Sequence, residues 1–391
     1  MVSLKVWKNS HPVGTLNYNG DTYTFTYFED VTEAHAISLT MPITERVYET
    51  QTLHPVFQQN LPEGMLADAL RKHFGKLVDL SDEIGMLRFT GKFKTGYLQV
   101  TEIDEEPGSA PWESLESIID NTNSDSLELF HECVKKFGSA SGLSGVQPKV
   151  AANLKSANKD KRSTLKTDSY ILKFHDDREY FGLTVNEYFS LKAAEYAKIS
   201  TASSEMIDDA NCLLVDRFDK KKDDNFYCME DFCALQTLNP QGRYRGDYLD
   251  LIQVVHNFVP PSKKENVLLS LFQIVALSMK IDNGDAHLKN FALMYDSESI
   301  QMAPAYDQVC TTAYLPKDIP ALSFSQSKTW PEDSELIEYA QACELAEEQA
   351  LKIIGNIEQG KQQALTELEE YCSSHERFEP VYESIHKNWQ L

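Results

Sequence analysis

The sequence predicts an α+β protein with two lobes, because strand patterns fill its first part and helical patterns its last part. Residues 1–30 alternate apolar and polar side chains with a period of two, which favours antiparallel strands. From about residue 236 onward, apolar residues recur at helical spacing instead. Strands followed by helices, rather than alternating with them, are typical of the α+β class. A chain of 391 residues has room for two or three packed units.

The first hundred residues contain a hairpin signal, a helix and a further strand. Asn19-Gly20 between two alternating runs predicts a hairpin with a type I′ turn. The segment LPEGMLADALRKHFG predicts a helix that begins near Pro62, and TGYLQVTEI predicts a strand. Residues 103–126 are acidic and rich in Pro, Ser, Asp and Asn, which indicates the first domain boundary.

The middle of the chain predicts a helix, a hairpin and a second helix. The segment LELFHECVKKFG reads as a helix that ends at Gly138. Two strands, VQPKVAANL and SYILKFHD, follow on either side of a basic linker, and VNEYFSLKAAEYAKIS has one apolar helical face. We therefore predict three parts: a β-rich subdomain at 1–108, a second part at 109–235 and a helical part at 236–391.

Composition excludes several classes of protein. The net charge is −23, so the surface repels nucleic acid and direct DNA binding is not expected. No apolar run reaches the roughly 18 residues that span a membrane, and the first residues lack a signal-peptide pattern. The seven cysteines form no CxxC pair and are expected to be reduced, buried thiols. A cytoplasmic location follows as an expectation.

The strongest chemical signal is the segment MKIDNGDAHLKNFALMYD. A polar loop with Asp285 and Asn290 at D-x-x-x-x-N spacing joins an apolar helix to an apolar strand. In kinases this spacing provides a base for the acceptor hydroxyl and an amide for a metal. Asp307 follows in APAYDQV and would add the carboxylate that Mg²⁺ requires. Asp282–Gly284 fit an ordinary turn equally well.

Lys173 lies in the strand YILKF, where its side chain should face away from those of Leu172 and Phe174. A solvent-facing strand lysine is the ordinary interpretation. The downstream Asp and Asn residues favour a phosphate-binding role instead. Glu187, fourteen residues later, either pairs with Lys173 or is an acidic residue favoured by the start of its helix.

Two further segments suit a nucleotide. The small residues of GSASGLSGVQPK, from Gly138 to Lys149, would let backbone amides approach phosphates, although the segment matches no standard glycine-rich motif. A simple helix-to-strand turn is the alternative. The segment EDFC at 230–233 follows a strand and precedes helical sequence, where a hinge is expected. Its backbone atoms are candidates for reading adenine.

Taken together, these segments resemble the HipA family of bacterial serine/threonine kinases, the toxins of HipBA-type toxin–antitoxin modules. The shared series is NLPEG, SGVQPK, ILKF, NEY, VDRFD, EDFC, DNGDAHLKNF and AYD, and it runs along nearly the whole chain. The resemblance implies a two-lobed, kinase-like fold related to the phosphoinositide kinases. Its helical C-terminal lobe would carry the catalytic loops, with ATP and Mg²⁺ between the lobes.

The resemblance also implies roles for individual residues. Asp285 corresponds to the catalytic base, Asn290 and Asp307 to the metal ligands, and Lys173 to the phosphate-binding lysine. The implied phosphate loop is Ser144, Gly145, Val146, Gln147, Pro148 and Lys149. The implied adenine hinge is Glu230, Asp231 and Phe232, and the remaining nucleotide contacts are His287, Leu288, Lys289, Asn290 and Tyr306.

Partners and regulation follow from the same resemblance. It implies a small DNA-binding helix-turn-helix antitoxin, and an aminoacyl-tRNA synthetase as the type of substrate. A small-molecule phosphotransferase and an antitoxin-binding pseudokinase are the alternatives. Many relatives carry a regulatory serine where this chain has Gly142, so autophosphorylation would have to use Ser139, Ser141 or Ser144, or be absent.

Overall fold

The protein is described by a computed structural model covering residues 2–93, 96–114, 126–143, 147–156, 166–207, 209–223, 225–324 and 326–390. The chain divides into two compact units. The first contains Met1–Asp176, Ile207–Glu230 and Tyr295–Glu298. The second contains Asp177–Met206, Asp231–Met294 and Ser299–Leu391. Strands dominate the first unit and helices the second, so the α+β prediction is confirmed. The three-part division at 108 and 235 stays a prediction.

The strands and helices follow the predicted order. The strands are β1 Val2–Lys8, β2 His11–Tyr18, β3 Tyr23–Tyr27, β4 Val47–Thr50, β5 Leu98–Glu102, β6 Trp112–Ser114, β7 Lys149–Ser156, β8 Lys166–Phe174, β9 Ser204–Ile207, β10 Cys212–Asp216, β11 Cys228–Asp231, β12 Ala292–Tyr295 and β13 Ile300–Met302. The α-helices are α1 Pro55–Gln58, α2 Gly64–Phe74, α3 Glu83–Thr90, α4 Ser126–Phe137, α5 Leu183–Tyr196, α6 Phe232–Leu235, α7 Tyr248–Phe258, α8 Pro261–Lys280, α9 Asp333–Ala342, α10 Glu347–Ser374 and α11 Glu379–Trp389.

The first sheet has the antiparallel order β4-β3-β2-β1-β5. The predicted hairpin around Asn19-Gly20 is present, but its type was wrong, because Tyr18 pairs with Tyr23 and leaves a four-residue loop. The Asn19 side chain accepts hydrogen bonds from the amides of Asp21 and Thr22 and so stabilises the longer loop. The two-residue turn is Asn9-Ser10, where both φ angles are positive, as a type I′ turn requires.

The predicted β7–β8 hairpin is confirmed and forms the centre of a second sheet, in which β6, β7, β8 and β10 are neighbours. One face of this hairpin, with Val150, Leu172 and Phe174, joins the apolar core of the first unit. The basic linker at 157–165 lies outside the described residues. Helix α4 packs against α2 and β7 and closes that core. The α2 helix begins at Gly64, two residues after the predicted Pro62.

In the second unit, helix α10 crosses α5 at very short range. A Cβ atom at Gly360 of α10 would lie 2.3 Å from the Ala193 carbonyl oxygen of α5, so only glycine allows this approach. Helix α8 runs beneath α7 and α10, and almost all residues in its second half are buried. This packing fixes the end of α8, from which the predicted catalytic loop begins.

The cysteine prediction is confirmed, since all seven cysteines are buried and free of disulfides. Within the described part of the chain, no helix is both long enough and apolar enough to cross a membrane.

The close crossing of α5 and α10 predicts opposite effects for one substitution at two positions of α10. Gly360→Ala should lower the free energy of unfolding by about 1–3 kcal/mol, because the added methyl group meets backbone atoms of α5. Gly355 has no atom near its missing Cβ, so Gly355→Ala should raise the same quantity by about 0.5–1 kcal/mol. Urea unfolding measures both. Equal effects at the two positions would contradict this packing.

Candidate functional site

The predicted catalytic loop begins where helix α8 ends at Lys280. Asp282 adopts a left-handed conformation with φ of +56°, and the Asn283 amide donates 2.8 Å to the Ser278 carbonyl oxygen. The Thr311 amide bonds the Asp282 carbonyl oxygen, and the Thr311 hydroxyl accepts from the Gly284 amide. Burial raises the pKa of the Asp282 carboxyl to about 6. These bonds give Asp282–Gly284 the turn role that the sequence left open.

Asp285, the predicted base, lies at the exposed tip of this loop. Its amide donates 3.2 Å to the Asn283 side-chain oxygen, and its carbonyl oxygen accepts from the His287 amide at 2.8 Å. The Tyr244 hydroxyl donates a 2.9 Å hydrogen bond to Asp285 Oδ1. The backbone of Asp285 is therefore held by its own loop and its carboxylate by Tyr244, yet the side chain remains accessible to a hydroxyl-bearing acceptor.

Asn290 turns back toward the loop, as the D-x-x-x-x-N spacing predicts. Its amide donates 2.9 Å to the His287 carbonyl oxygen, and its side-chain Oδ1 accepts from the His287 amide at 3.0 Å. The reciprocal bonds fix the orientation of the buried side chain. One lone pair of Oδ1 is used by this bond, and a carbonyl oxygen has a second that can reach a cation.

Asp307 is linked to the catalytic loop by two buried amide side chains that the sequence analysis missed. Asn283 Nδ2 lies 3.4 Å from the Asp307 carbonyl oxygen and 3.5 Å from Gln308 Oε1. Gln308 Oε1 also accepts from the Ser278 hydroxyl, and its Nε2 donates to the Tyr306 carbonyl oxygen. These contacts hold Asp307 in a left-handed conformation with φ of +51°. Gln308 directly follows Asp307 and Asn283 lies two residues before Asp285, but neither position is unusual in the sequence.

Further predicted contacts form a second chain of polar interactions in the same unit. The Tyr306 hydroxyl donates 2.7 Å to the Lys289 carbonyl oxygen, and Lys289 Nζ lies 3.5 Å from Asp231 Oδ2. Burial raises the pKa of the Tyr306 hydroxyl well above its usual value, so this group remains a donor. These two contacts bring together Tyr306, Lys289 and Asp231, three residues that the sequence analysis assigned to the nucleotide site.

The side chains of the hinge segment, residues 230–232, are all buried and make contacts within the protein. Asp231 Oδ1 caps helix α6 by accepting from the Ala234 amide at 2.7 Å. Phe232 is fully buried, and its amide donates 2.9 Å to the Phe291 carbonyl oxygen. Glu230 is fully buried as well. Any contact of this segment with a base would therefore come from its remaining backbone groups, as the sequence analysis expected.

His287 contributes an unusual buried nitrogen to the loop. Among the described residues, its Nδ1 has no hydrogen-bond partner, although the side chain is only 7% exposed. The Tyr244 ring packs edge-on against the imidazole, with 5.0 Å between centroids. Burial lowers the pKa of His287, so the ring is held neutral. An unsatisfied buried nitrogen in this position suits a bound polar group. Leu288, its neighbour, is an apolar core residue.

In the first unit, two predicted phosphate-binding lysines lie opposite each other. Lys149 on β7 pairs directly with Lys173 on β8, so both side chains project from the same face of the hairpin. This is the face opposite Leu172 and Phe174, as predicted. The two side chains are 6% and 3% exposed, which excludes the interpretation of Lys173 as a solvent-facing strand lysine. Together they concentrate positive charge on one buried surface.

The loop before β7 is only partly described. Ser144, Gly145 and Val146 lie outside the described residues. Gln147 Nε2 lies 3.4 Å from the Phe174 carbonyl oxygen, and the Phe174 amide donates to the Pro148 carbonyl oxygen at 2.8 Å. These bonds fix the end of the loop to β8.

Ser141, one of three serines considered for autophosphorylation, is fully buried. Its hydroxyl lies 3.0 Å from the Phe137 carbonyl oxygen and accepts from the Ala151 amide at 3.0 Å. These bonds connect the end of α4 to β7, so in this conformation the Ser141 hydroxyl is not accessible for phosphorylation. Ser139 is half-buried.

Glu187 is buried in the second turn of α5, with 1% of its surface exposed. It is therefore not a first-turn acid of the kind that a helix N-terminus attracts. Its pairing with Lys173 stays a prediction. Among the residues that the structure describes, no cluster of three or more His, Cys, Asp and Glu side chains could bind a metal by itself. An Asn–Asp pair that shares a cation with phosphate oxygens is a different arrangement.

The strand-rich first unit, the helical second unit and the predicted catalytic loop between α8 and β12 define a kinase-like α+β protein. Comparison with protein families gives the particular family. The HipA-like C-terminal domain matches residues 141–365 and the HipA N-terminal domain matches residues 4–101. The chain belongs to the HipA family.

Sequence identity to individual proteins is low and covers only part of the chain. Two Sinorhizobium fredii proteins, both provisionally named kinases, are Y4mE, 28% identical over 110 residues, and Y4dM, 31% identical over 140 residues. The alignments cover 26% and 34% of this chain, and 26% and 33% of those relatives. The chain thus spans a third or less of the length of each.

A solved structure from Shewanella oneidensis, of a HipA–HipB toxin–antitoxin system with its operator DNA, has the same fold. The TM-score is 0.68 at 17% identity, and the match covers 99% of this chain and 96% of that one. The similarity concerns the fold.

The buried amide pair predicts that Gln308 stabilises the second unit. Gln308→Met keeps the side-chain volume but removes one acceptor of the Ser278 hydroxyl and of the Asn283 amide, together with the donor to the Tyr306 carbonyl oxygen. The free energy of unfolding should fall by about 1–3 kcal/mol. Gln363→Met on the exposed face of α10 is the matched control and should change it by less than about 0.5 kcal/mol. Equal stability of the two variants in urea unfolding would rule out this role.

Proposed function

We propose that this chain is an ATP- and Mg²⁺-dependent serine/threonine protein kinase and the toxin of a type II toxin–antitoxin module. The observation that carries the proposal is the catalytic loop, where an exposed Asp285 is oriented by Tyr244 while Asn283 and Gln308 link the loop to Asp307. Membership of the HipA family and the two kinase-named relatives support the same reaction type.

In the proposed reaction, Asp285 accepts the proton of an acceptor hydroxyl as its oxygen attacks the γ-phosphorus of ATP. The bond between that phosphorus and the ADP oxygen breaks. An exposed carboxylate suits a base that must reach a side chain of another protein. Tyr244 restricts rotation of the carboxylate, and the Asn283 side chain holds the Asp285 backbone amide, before the substrate arrives.

Nucleotide and metal would be held by residues whose charge and burial suit them. Lys149 and Lys173 would bind phosphate oxygens, since both carry cationic side chains on the same face of the β7–β8 hairpin. Asn290 and Asp307 would ligate Mg²⁺, which would neutralise charge on the transferred phosphate. The buried Nδ1 of His287 would gain a hydrogen-bond partner from bound nucleotide.

The proposed partner is a HipB-like helix-turn-helix antitoxin, and the proposed substrate is a translation component such as an aminoacyl-tRNA synthetase. The Shewanella relative forms a complex with HipB and operator DNA, which supports the antitoxin. The net charge of −23 makes direct DNA contact by this chain unfavourable, so DNA would be reached through the antitoxin. Labelled ATP in a host lysate, followed by mass spectrometry of labelled proteins, would identify the substrate.

Asp285→Asn should reduce phosphoryl transfer by about 10²–10⁴-fold, the usual contribution of a general base. The fold should be kept, because the asparagine oxygen can still accept from Tyr244. Transfer of ³²P from ATP into lysate protein measures the loss, and Asp68→Asn at an exposed site is the control. Near-normal transfer by Asp285→Asn would remove this residue from the role of base.

Asp307→Ala and Asn290→Ala should each weaken Mg²⁺-dependent ATP binding at least about tenfold, since even groups that only support a metal ligand have effects of that size. The loss should be larger for Asp307, because a carboxylate neutralises cation charge and an amide does not. Calorimetric titration of ATP with Mg²⁺ and with EDTA measures both. Equal, metal-independent affinities in wild type and variants would contradict the assignment.

A further inference from the structure

Three separate segments of the N-terminal region bond to one short stretch of the chain, residues 226–230, whose last residue, Glu230, begins the hinge segment. We call this stretch the pre-hinge strand. The N-terminal residues are Asn9, Ser38-Leu39 and Gln59, and all belong to the first unit together with the pre-hinge strand. Their sequence separations from it range from 170 to 217 residues. Contacts so distant along the chain are set by tertiary structure.

Two of the three contacts are hydrogen bonds between side chains of the N-terminal region and the backbone of the pre-hinge strand. Asn9 Nδ2 donates to the Phe226 carbonyl oxygen at 2.9 Å, and the Phe226 amide donates to Asn9 Oδ1 at 2.9 Å. This reciprocal pair imitates one step of a β-ladder. Further along, Gln59 Nε2 donates to the Met229 carbonyl oxygen at 3.2 Å. Both ends of the pre-hinge strand are thus held by the N-terminal region.

The third contact is with the carboxylate of Glu230, which is fully buried. Ser38 Oγ donates 2.5 Å to Oε2, and the Leu39 amide donates 2.8 Å to Oε1. The Tyr295 hydroxyl donates to Oε1 as well. A carboxylate out of water is strongly unfavourable unless donors surround it, so the side chain of Glu230 has little freedom to move.

The donor segment is itself rigidly held. The Ile37 amide donates to the Tyr27 hydroxyl at 2.9 Å, and the Tyr97 hydroxyl donates to the Ile37 carbonyl oxygen at 3.2 Å. Tyr27 of β3 and Tyr97, which directly precedes β5, are both buried core residues. The position of Glu230 is therefore determined by the packed core of the N-terminal region, not by the hinge segment alone.

We propose that the N-terminal region positions the nucleotide-binding backbone, with Ser38 as a positioning residue that acts through Glu230. The inference rests on the proposed function, since it matters only if backbone groups at 230–232 contact adenine. Fixing Glu230 fixes the direction of its own backbone groups at the start of the hinge segment. The N-terminal region then sets nucleotide affinity although its own side chains need not contact the nucleotide.

The test compares KM for ATP and kcat in purified full-length variants. Ser38→Ala removes one charged hydrogen bond from Glu230 and should raise KM for ATP about tenfold, while kcat changes less than about twofold. Adenine contacts are the same in the ground and transition states, so their loss appears in KM. Asn9→Gly removes the hydrogen bonds between Asn9 and the Phe226 backbone, and glycine keeps the left-handed conformation of the turn without strain. This variant should also raise KM for ATP.

The control is Thr90→Val, which removes a buried hydroxyl from the same region with no bond to the pre-hinge strand. Thr90→Val should leave KM for ATP unchanged, even if it lowers the thermal stability of the protein as much as Ser38→Ala does. In the double variant Ser38→Ala/Glu230→Gln, KM should be no higher than in Glu230→Gln alone, because both changes remove the same interaction.

The outcomes separate the two proposals. If the wild-type chain neither binds nor uses ATP, the proposed function is wrong and this inference is wrong with it. If the wild type uses ATP but Ser38→Ala and Asn9→Gly keep its KM, or if Thr90→Val raises KM equally, only the positioning role is overturned. A selective rise in KM that disappears in the Glu230→Gln background supports it.

Discussion

The second unit depends on one requirement, that two amide side chains removed from water must find partners inside the protein. Asn283 and Gln308 are both fully buried. They satisfy each other, the Asp285 amide, the Asp307 carbonyl oxygen and the Ser278 hydroxyl. Because each unmet bond would cost about 1–3 kcal/mol, the loop after α8 and the loop after β13 cannot move independently. The two acids of the proposed site are thereby held in one arrangement.

The first unit applies the same requirement to a charged group. Glu230 has no access to water, so its geometry is dictated by the donors that Ser38, Leu39 and Tyr295 supply. Buried polar networks specify position more sharply than apolar contacts, because hydrogen bonds depend on both distance and direction. In each unit, residues far apart along the chain form these bonds. Asn283 bonds Gln308, which is next to Asp307, and Ser38 bonds Glu230 at the start of the hinge segment.

Much of the fold could be predicted because its signals are local. Period-two alternation gave β1 to β3, and helical spacing gave α5 and α8. The turn chemistry was less predictable, since Asn19 stabilised a four-residue loop while Asn9-Ser10 formed the tight turn. Of the candidate site, the D-x-x-x-x-N spacing placed Asp285 and Asn290 on one loop. It could not reveal that Gln308 and Tyr244 orient that loop, because nothing in their own neighbourhoods is unusual.

The sequence by itself determined the order of strands and helices and the family, and it supplied the candidate site residues, since all of these depend on spacing along the chain. Tertiary structure alone decided which groups are buried and paired. It placed Lys149 opposite Lys173, enclosed Ser141 and joined Glu230 to Ser38. Such pairings depend on register and packing between distant segments. Their free energy comes from removing polar groups from water, which no local pattern records.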